Sequence, residues 1–392
     1  MKENLPTIED RFLFAVLGSH FSRSNWQCAE TCLRSPLDWR YIVRQADRHG
    51  VIPLLWERLH QFPSDLIPGG VQRHLYTVSS TILRHNLAGA AELIAILDLL
   101  EKAGIRAAPF KGPALALIAY GNLALRAFSD LDILVQPASV DAAAGVLIAR
   151  GYRPEQPMSA AYMVSECQLR LRGPNESVVE LHWRLVEKSF SCALDLDGLW
   201  LRMMRVELAG RSFPTLGPDD LFLYLCLHGA KHQWERLEWL CGIAELSRVL
   251  ALNWQKLQKR AADLGCARLL YLALYLAEKT IGAPVPSALR SAIDADAVVP
   301  ELAQRVLQSL TGDSPAPVPA ARRAAHYRFL IQSRERLSDK CRIALRSVVR
   351  TPHPDSKELV VLSDRWRFLY YFLRPLRLAG QCAALAWREC FK

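Results

Sequence analysis

Arg126-Ala127-Phe128-Ser129-Asp130-Leu131-Asp132-Ile133-Leu134-Val135 is the stretch on which the fold turns. The apolar and β-branched residues from Phe128 to Val135 predict a strand. On a strand, residues two apart share a face. Asp130 and Asp132 therefore project together while Leu131, Ile133 and Val135 pack inward. Two adjacent carboxylates repel each other unless a cation lies between them, and hard oxygen ligands in this arrangement suit Mg²⁺. An exposed acidic strand end would produce the same Asp-x-Asp pattern, so the surrounding sequence decides its meaning.

Upstream, Ile105–Phe110 is a short extended run, followed by Lys111-Gly112-Pro113, an apolar helix to Tyr120 and a turn at Gly121-Asn122. Downstream, a helix is expected over residues 137–150, with Pro137 inside its start and Gly151 just past its end. Tyr162–Leu171 and Ser177–Leu185 read as two more strands, joined by a turn at Gly173-Pro174-Asn175. The alternation of strand and helix predicts an α/β unit of roughly a hundred residues. Inside its last strand, Val178-Val179-Glu180-Leu181-His182-Trp183 carries a carboxylate that is costly to bury without a partner. Beside Asp130 and Asp132, Glu180 would complete a two-metal cage; an ion pair to a local arginine such as Arg184 is the alternative. His182, two residues on, shares that face, either as a substrate contact or as a hydrogen-bonded structural histidine.

Both flanks read as helix. Thr7 with Asp10 resembles a capping box, and Ser35-Pro36 repeats the logic with Ser as N-cap and Pro at the first helical position. Gly50 closes that helix, Pro53 opens a short one through Leu59, and a long helix runs from Val71 to Lys102 with a break expected near Gly89. Pro218-Asp219-Asp220 starts a second helical region, and Asp313–Pro319 is a Pro-rich linker. The expected division is an N-terminal helical region 1–85, an α/β domain 86–200, a helical domain 201–312, and a linker with a basic helical tail 313–392.

Composition excludes whole classes. The 392 residues are 51% hydrophobic and 22% charged, as in a globular chain and unlike a disordered or fibrous one. The net charge of +10 is localised: residues 321–392 hold 16 Lys/Arg against 6 Asp/Glu, so the tail accounts for all of it. Such a segment suits an anionic partner or a solvated helical face. The ten cysteines show no C-x-x-C spacing and are expected to be buried free thiols. No apolar run approaches the roughly 18 residues needed to span a bilayer, and Met1-Lys2-Glu3-Asn4 does not open a signal peptide. The expected location is cytoplasmic.

Several motifs are specific only in combination. Phe110-Lys111-Gly112-Pro113, Arg126-x-x-Ser129-Asp130-x-Asp132, Gly151-Tyr152 and Glu180-Leu181-His182-Trp183-Arg184 together resemble the uncharacterised nucleotidyltransferase family of the DNA polymerase β superfamily. They are similar, more distantly, to the abortive-infection toxin nucleotidyltransferases. The likeness extends to Asp38-Trp39 through Pro53-Leu54-Leu55, to the second motif from His228 to Leu240, and to Tyr370-Tyr371-Phe372-Leu373-Arg374-Pro375.

The resemblance implies an α+β fold, a polymerase-β-like nucleotidyltransferase domain flanked by N-terminal and C-terminal helical domains. It also implies two Mg²⁺ held by Asp130, Asp132 and Glu180, which would grip a nucleoside triphosphate and align an acceptor hydroxyl on its α-phosphate. Lys111, Gly112, Arg126 and Ser129 would contact the nucleotide, Lys111-Gly112 standing where wider superfamily members carry Gly-Ser. In the second motif His228, Lys231, His232 and Glu235 would share one helical face, with Lys231 and His232 reaching the triphosphate across an open groove. A zinc site at His228 and His232 lacks a third ligand, and Trp234 and Trp239 read as core. Relatives usually carry Asp where this chain has Gly242, with Glu245 as a candidate substitute. The acceptor stays open: small molecule, protein or RNA. The alternatives are a non-catalytic nucleotide-binding or scaffold protein, and a tRNA-directed toxin-type enzyme using the basic tail. Replacing Asp130 or Asp132 by Asn is expected to end turnover and leave the fold intact or more stable.

Overall fold

The computed structural model describes residues 6–311, apart from 19, 159, 188, 189, 191 and 193, together with residues 319–349. The Tyr370–Pro375 motif, Cys382, Cys390, most of the basic tail and all but the last residue of the Pro-rich linker lie outside these. The chain forms two compact units, Met1–Ala316 and Pro317–Lys392.

Five helices open the first unit: α1 (Ile8–Leu17), α2 (Arg23–Leu33), α3 (Trp39–Arg48), α4 (Ile52–Leu59) and α5 (Gly69–Lys102). The Thr7–Asp10 capping box forms in both directions. Ser35 does not cap α3; Asp38 does, accepting from the Arg40 and Tyr41 amides. Pro36 therefore lies outside the helix, because a carboxylate nearer the first turn supplies the cap. No break occurs at Gly89, and α5 runs on for 34 residues. A Cβ there would sit 3.0 Å from the Phe128 ring, so glycine admits the strand's aromatic neighbour against the helix.

Next come β1 (Ala107–Pro109), α6 (Gly112–Tyr120), β2 (Asp130–Val135), α7 (Val140–Ala149), β3 (Arg153–Pro154), α8 (Ala160–Ser165), β4 (Gln168–Arg172) and β5 (Val178–His182). The strands form one sheet in the order β1-β2-β5-β4-β3, with β2 and β5 parallel and every other pair antiparallel. The first of the two expected late strands is shorter than read, since Ala160–Ser165 is helical and extension begins at Gln168. Leu131, Ile133 and Val135 of β2 and Val179 and Leu181 of β5 join one core with Leu93 and Leu97 of α5 and Ala143 and Leu147 of α7. The two-residue period then puts Asp130, Asp132, Glu180 and His182 on the opposite face.

A short helix, α9 (Leu196–Leu201), leads into a hairpin that sequence reading missed, β6 (Met204–Leu208) and β7 (Arg211–Thr215). Its turn is Ala209-Gly210, both left-handed at φ 50° and 78°. Alanine in the first position lacks the Asn or Asp that usually marks such a turn. Thr215 Oγ1 donates to the Pro109 carbonyl at 2.6 Å, fastening the hairpin to β1.

The unit closes with α10 (Pro218–Lys231), α11 (Leu237–Val249), α12 (Trp254–Asp263), α13 (Ala267–Ile281), α14 (Ser287–Ala295) and α15 (Val298–Leu310). The buried leucines of α13 pack against α10, α11 and α15. The N-terminal helices join this bundle: Asn25 Nδ2 donates to the Ile281 carbonyl at 2.8 Å, and Arg58 of α4 pairs with Glu245 of α11 at 3.1 Å. Cysteines 32, 167, 192, 226, 241 and 266 are buried free thiols as expected, Cys28 is half-buried and Cys341 is exposed. No described helix is long and apolar enough to cross a membrane. In the second unit α16 (Pro319–Gln332) packs on α17 (Leu337–Val349).

Candidate active site

Parallel pairing of β2 with β5 sets Asp132 directly opposite Glu180 and Leu134 opposite His182. Neighbouring strands lie about 4.8 Å apart, so the two carboxylates share a small volume. Asp132 is 1% exposed, Glu180 8%, and Asp130 is half-buried at the strand's start. The three carboxylates thus lie on the face assigned from the two-residue period.

Lys111 occupies the N-cap of α6, and its Nζ lies 2.8 Å from Asp132 Oδ1. Gly112 follows at φ +52°, and a Cβ there would meet the Asp130 carbonyl at 3.1 Å. Both the left-handed backbone and the close approach to β2 require glycine at this position. Lys111 was expected on phosphate, yet here it is the counter-ion of a strand aspartate. Burial disfavours its charge, but the Asp132 carboxylate outweighs that and holds its pKa well above the usual range.

His182 Nε2 stands 3.2 Å from the same Asp132 Oδ1 and 3.6 Å from Glu180 Oε2, while Nδ1 lies 3.3 Å from the Arg184 carbonyl. Burial works against its positive charge, but the bonds to Asp132 and its neighbours prevail and raise its pKa well above 6.5. For Asp132, burial is overcome by Lys111 and His182, which hold it below the usual carboxylate range; Glu180 is lowered too, burial yielding chiefly to the His182 hydrogen bond. Asp130 behaves oppositely, raised by burial and then by the Asp132 charge. Asp132 Oδ2 is buried without a hydrogen-bond partner. That orphaned acceptor, on the strand face that Asp132 shares with Glu180 and the half-buried Asp130, fits a cation. Among the described residues Asp132, Glu180 and His182 form the one group of three whose ligand atoms lie within 4.8 Å of one another.

The remaining expected residues divide. Arg126 acts electrostatically on Asp130, and its Nη1 is buried without a hydrogen-bond partner. Ser129 is exposed beside Asp130. Arg184 does not pair with Glu180; it donates weakly to the Val164 carbonyl at 3.4 Å, and Arg170 on β4 is nearer, 4.0 Å from Glu180 Oε1. In the second motif α10 stops at Lys231, His232 is its cap, and Gln233 and Trp234 are left-handed at φ 54° and 55°. Glu235 therefore leaves the helical face on which it was expected. Trp234 is buried with its ring over Gly229, while Trp239 is half-buried against the rings of His228 and His232 at 5.6 and 5.3 Å. Lys231 Nζ pairs with Glu187 Oε1 at 3.0 Å and is close enough to Lys111 to feel its repulsion. Of the two carboxylates it was expected to approach across an open groove, Asp132 is buried and Asp130 half-buried.

Glu245 cannot stand in for an acid at Gly242, because His20, Arg58 and Arg248 take its two oxygens. A Cβ on Gly242 would meet nothing within 4 Å. Sequence reading missed Glu187, the Lys231 partner, and Tyr224 and Phe110, whose rings pack 5.1 Å apart over the site with Phe110 5.0 Å from His182. Phe110 stood beside Lys111 in a quoted motif, but no spacing marked the other two.

The first unit is thus an α+β fold, a mixed five-stranded sheet flanked by helices with three carboxylates on the adjacent parallel strands β2 and β5. The chain belongs to the family described as uncharacterised nucleotidyltransferase, which residues 35–282 match. Among solved structures it is similar to an antigenic nucleotidyltransferase-like protein from Paracoccidioides brasiliensis, at 15% identity and a TM-score of 0.30, over 55% of this chain and 94% of that one. No curated protein matches it. Membership supports nucleotidyl transfer in general terms.

Proposed function

We propose that this protein transfers a nucleoside monophosphate from a nucleoside triphosphate to an acceptor hydroxyl, using a divalent cation held by Asp130, Asp132 and Glu180. The observation that carries the reading is the Asp132–Glu180 pairing across parallel strands, with Asp130 on the same face. In the reaction the acceptor oxygen bonds to the α-phosphorus, the bond to the β-phosphate oxygen breaks, and pyrophosphate and a proton leave. The cation, Mg²⁺ by the hardness of its oxygen ligands, would supply charge neutralisation for that displacement. Lys111 and His182 hold Asp132 ionised and oriented. Gly112 and the amide end of α6, with Arg126 and Ser129 at the mouth, offer donors and positive charge for the triphosphate. Lys231, at the end of α10 with His232 beside it as the cap, is the cation that the helical bundle would contribute to the triphosphate. The partners follow from the reaction: a nucleoside triphosphate, an acceptor that is a small molecule, protein or RNA, and an anionic partner for the basic tail.

One observation favours a non-catalytic nucleotide-binding reading: Lys111 already neutralises Asp132 at 2.8 Å. Incubation with labelled triphosphates, Mg²⁺ and cell extract as acceptor source separates the two. Transfer of label that is lost in Asp132→Asn supports the enzyme. Nucleotide binding with no transfer by the wild type favours the other.

A further inference from the structure

We infer that the chain binds a single divalent cation of its own, in a mixed nitrogen–oxygen set of Asp132, Glu180 and His182, with Lys111 standing in the place of a second ion. The inference rests on the proposed function only in taking these carboxylates as the cation site. Four observations point to it. Asp132 Oδ1 is taken up by Lys111 Nζ at 2.8 Å, so that oxygen is not free to bridge two ions. Asp132 Oδ2 is buried and has no partner, and a buried acceptor without a donor calls for a cation. One atom each of Asp132, Glu180 and His182 lies within 4.8 Å of the others, a spacing that fits the ligands of one ion. Finally, His182 Nδ1 lies 3.3 Å from the Arg184 carbonyl. A ring nitrogen tied to a backbone carbonyl is the arrangement that orients a histidine to ligate through its other nitrogen, which here faces both carboxylates.

Charge agrees with the count. Asp130, Asp132 and Glu180 carry three negative charges, and Lys111 removes one within the buried site. The proton that His182 Nε2 shares with Asp132 Oδ1 at 3.2 Å leaves when that nitrogen ligates, and one divalent cation then neutralises the remainder. Two would leave the closed pocket net positive before any triphosphate enters, at a large desolvation cost. The nitrogen donor also alters metal choice. Mg²⁺ prefers an all-oxygen shell with several waters, whereas imidazole suits the first-row transition ions, so Mn²⁺ should bind at least about tenfold more tightly than Mg²⁺.

The experiment uses the full chain and Mn²⁺ without nucleotide. Free Mn²⁺, followed by its paramagnetic resonance signal during titration, should give one bound ion per chain. Electron spin-echo modulation of the bound ion should show coupling to ¹⁴N. The coupling should vanish in His182→Gln, and Lys111→Met should admit a second ion. Wild-type protein that binds no Mn²⁺ or two Mn²⁺, or one without nitrogen coupling, overturns the inference whether or not the variants fold. Failure of the proposed function looks different: one nitrogen-coupled Mn²⁺ with no nucleotide transfer leaves this inference standing. Transfer by a two-ion or nitrogen-free site does the reverse.

Discussion

Replacing each strand aspartate by asparagine should separate two roles that the sequence made look alike. Asp130 is half-buried, and its carboxyl is raised by burial and by Asp132, so its charge is resisted in the folded chain. Asp130→Asn removes that repulsion, and stability should hold or rise by a few tenths of a kcal/mol up to about 1. Asp132 is fully buried between Lys111 Nζ at 2.8 Å and His182 Nε2 at 3.2 Å. Asp132→Asn keeps the shape and an acceptor oxygen but leaves two buried cations without their charge partner. Removing one member of a buried ion pair costs about 3–5 kcal/mol; with the hydrogen bonds partly kept, the loss should be about 3. Where the sequence led to one expectation for both variants, the contacts predict a tolerated change at Asp130 and a costly one at Asp132. At a urea m-value of about 3 kcal/mol/M, the Asp132→Asn midpoint should fall by about 1 M in metal-free buffer at pH 7, with Asp130→Asn at or above wild type. Equal midpoints for the two variants would refute the reasoning, since the account makes Asp132 an internal counter-ion and Asp130 not.

Three further outcomes follow from contacts elsewhere. His49 is fully buried and its pKa is lowered from 6.5 to about 4, chiefly by burial. Below pH 6.5 the unfolded chain takes a proton that the fold refuses, so this contribution is intact above pH 6.5 and drains away as the pH falls toward 4. Between pH 7 and 4.5 the wild type should lose about 2 kcal/mol more than His49→Gln in urea titrations, and parallel losses would contradict the buried neutral state. Gly229 lies beneath the Trp234 ring, where an added methyl overlaps the indole, so Gly229→Ala should lower stability by about 2 kcal/mol; an unchanged melting temperature would mean the ring does not seat there. Lys231→Ala breaks the 3.0 Å pair with Glu187. If Lys231 contacts the triphosphate in its ground state, KM for the triphosphate should rise more than kcat falls, and a change confined to kcat would assign it elsewhere.

How far the sequence reached is clearest along β2. Alternation from Phe128 to Val135 is a local property, since side chains on a strand must alternate between faces. It therefore determined the strand, the inward Leu131, Ile133 and Val135, and the shared face of Asp130 and Asp132. The Thr7–Asp10 box and the start at Pro218 are equally local and form as read. The same holds for Gly112, whose backbone serves the turn into α6. What the sequence did not determine depends on strand order and on which chain segments meet. Nothing in a one-dimensional pattern sets Asp132 opposite Glu180, just under fifty residues away, or carries Lys111 across to Asp132 Oδ1; that took the parallel pairing of β2 with β5 and the seating of α6 beside them. Trp234 ends the face of α10 early because its ring finds the notch at Gly229, a packing event rather than a propensity. Glu245 became a clamp for Arg58 and His20 only when the N-terminal helices closed on the bundle. The ligand types were written in the sequence, but the ion pairs among them were decided by tertiary structure, because a charge buried by folding must take the partner that folding brings within reach.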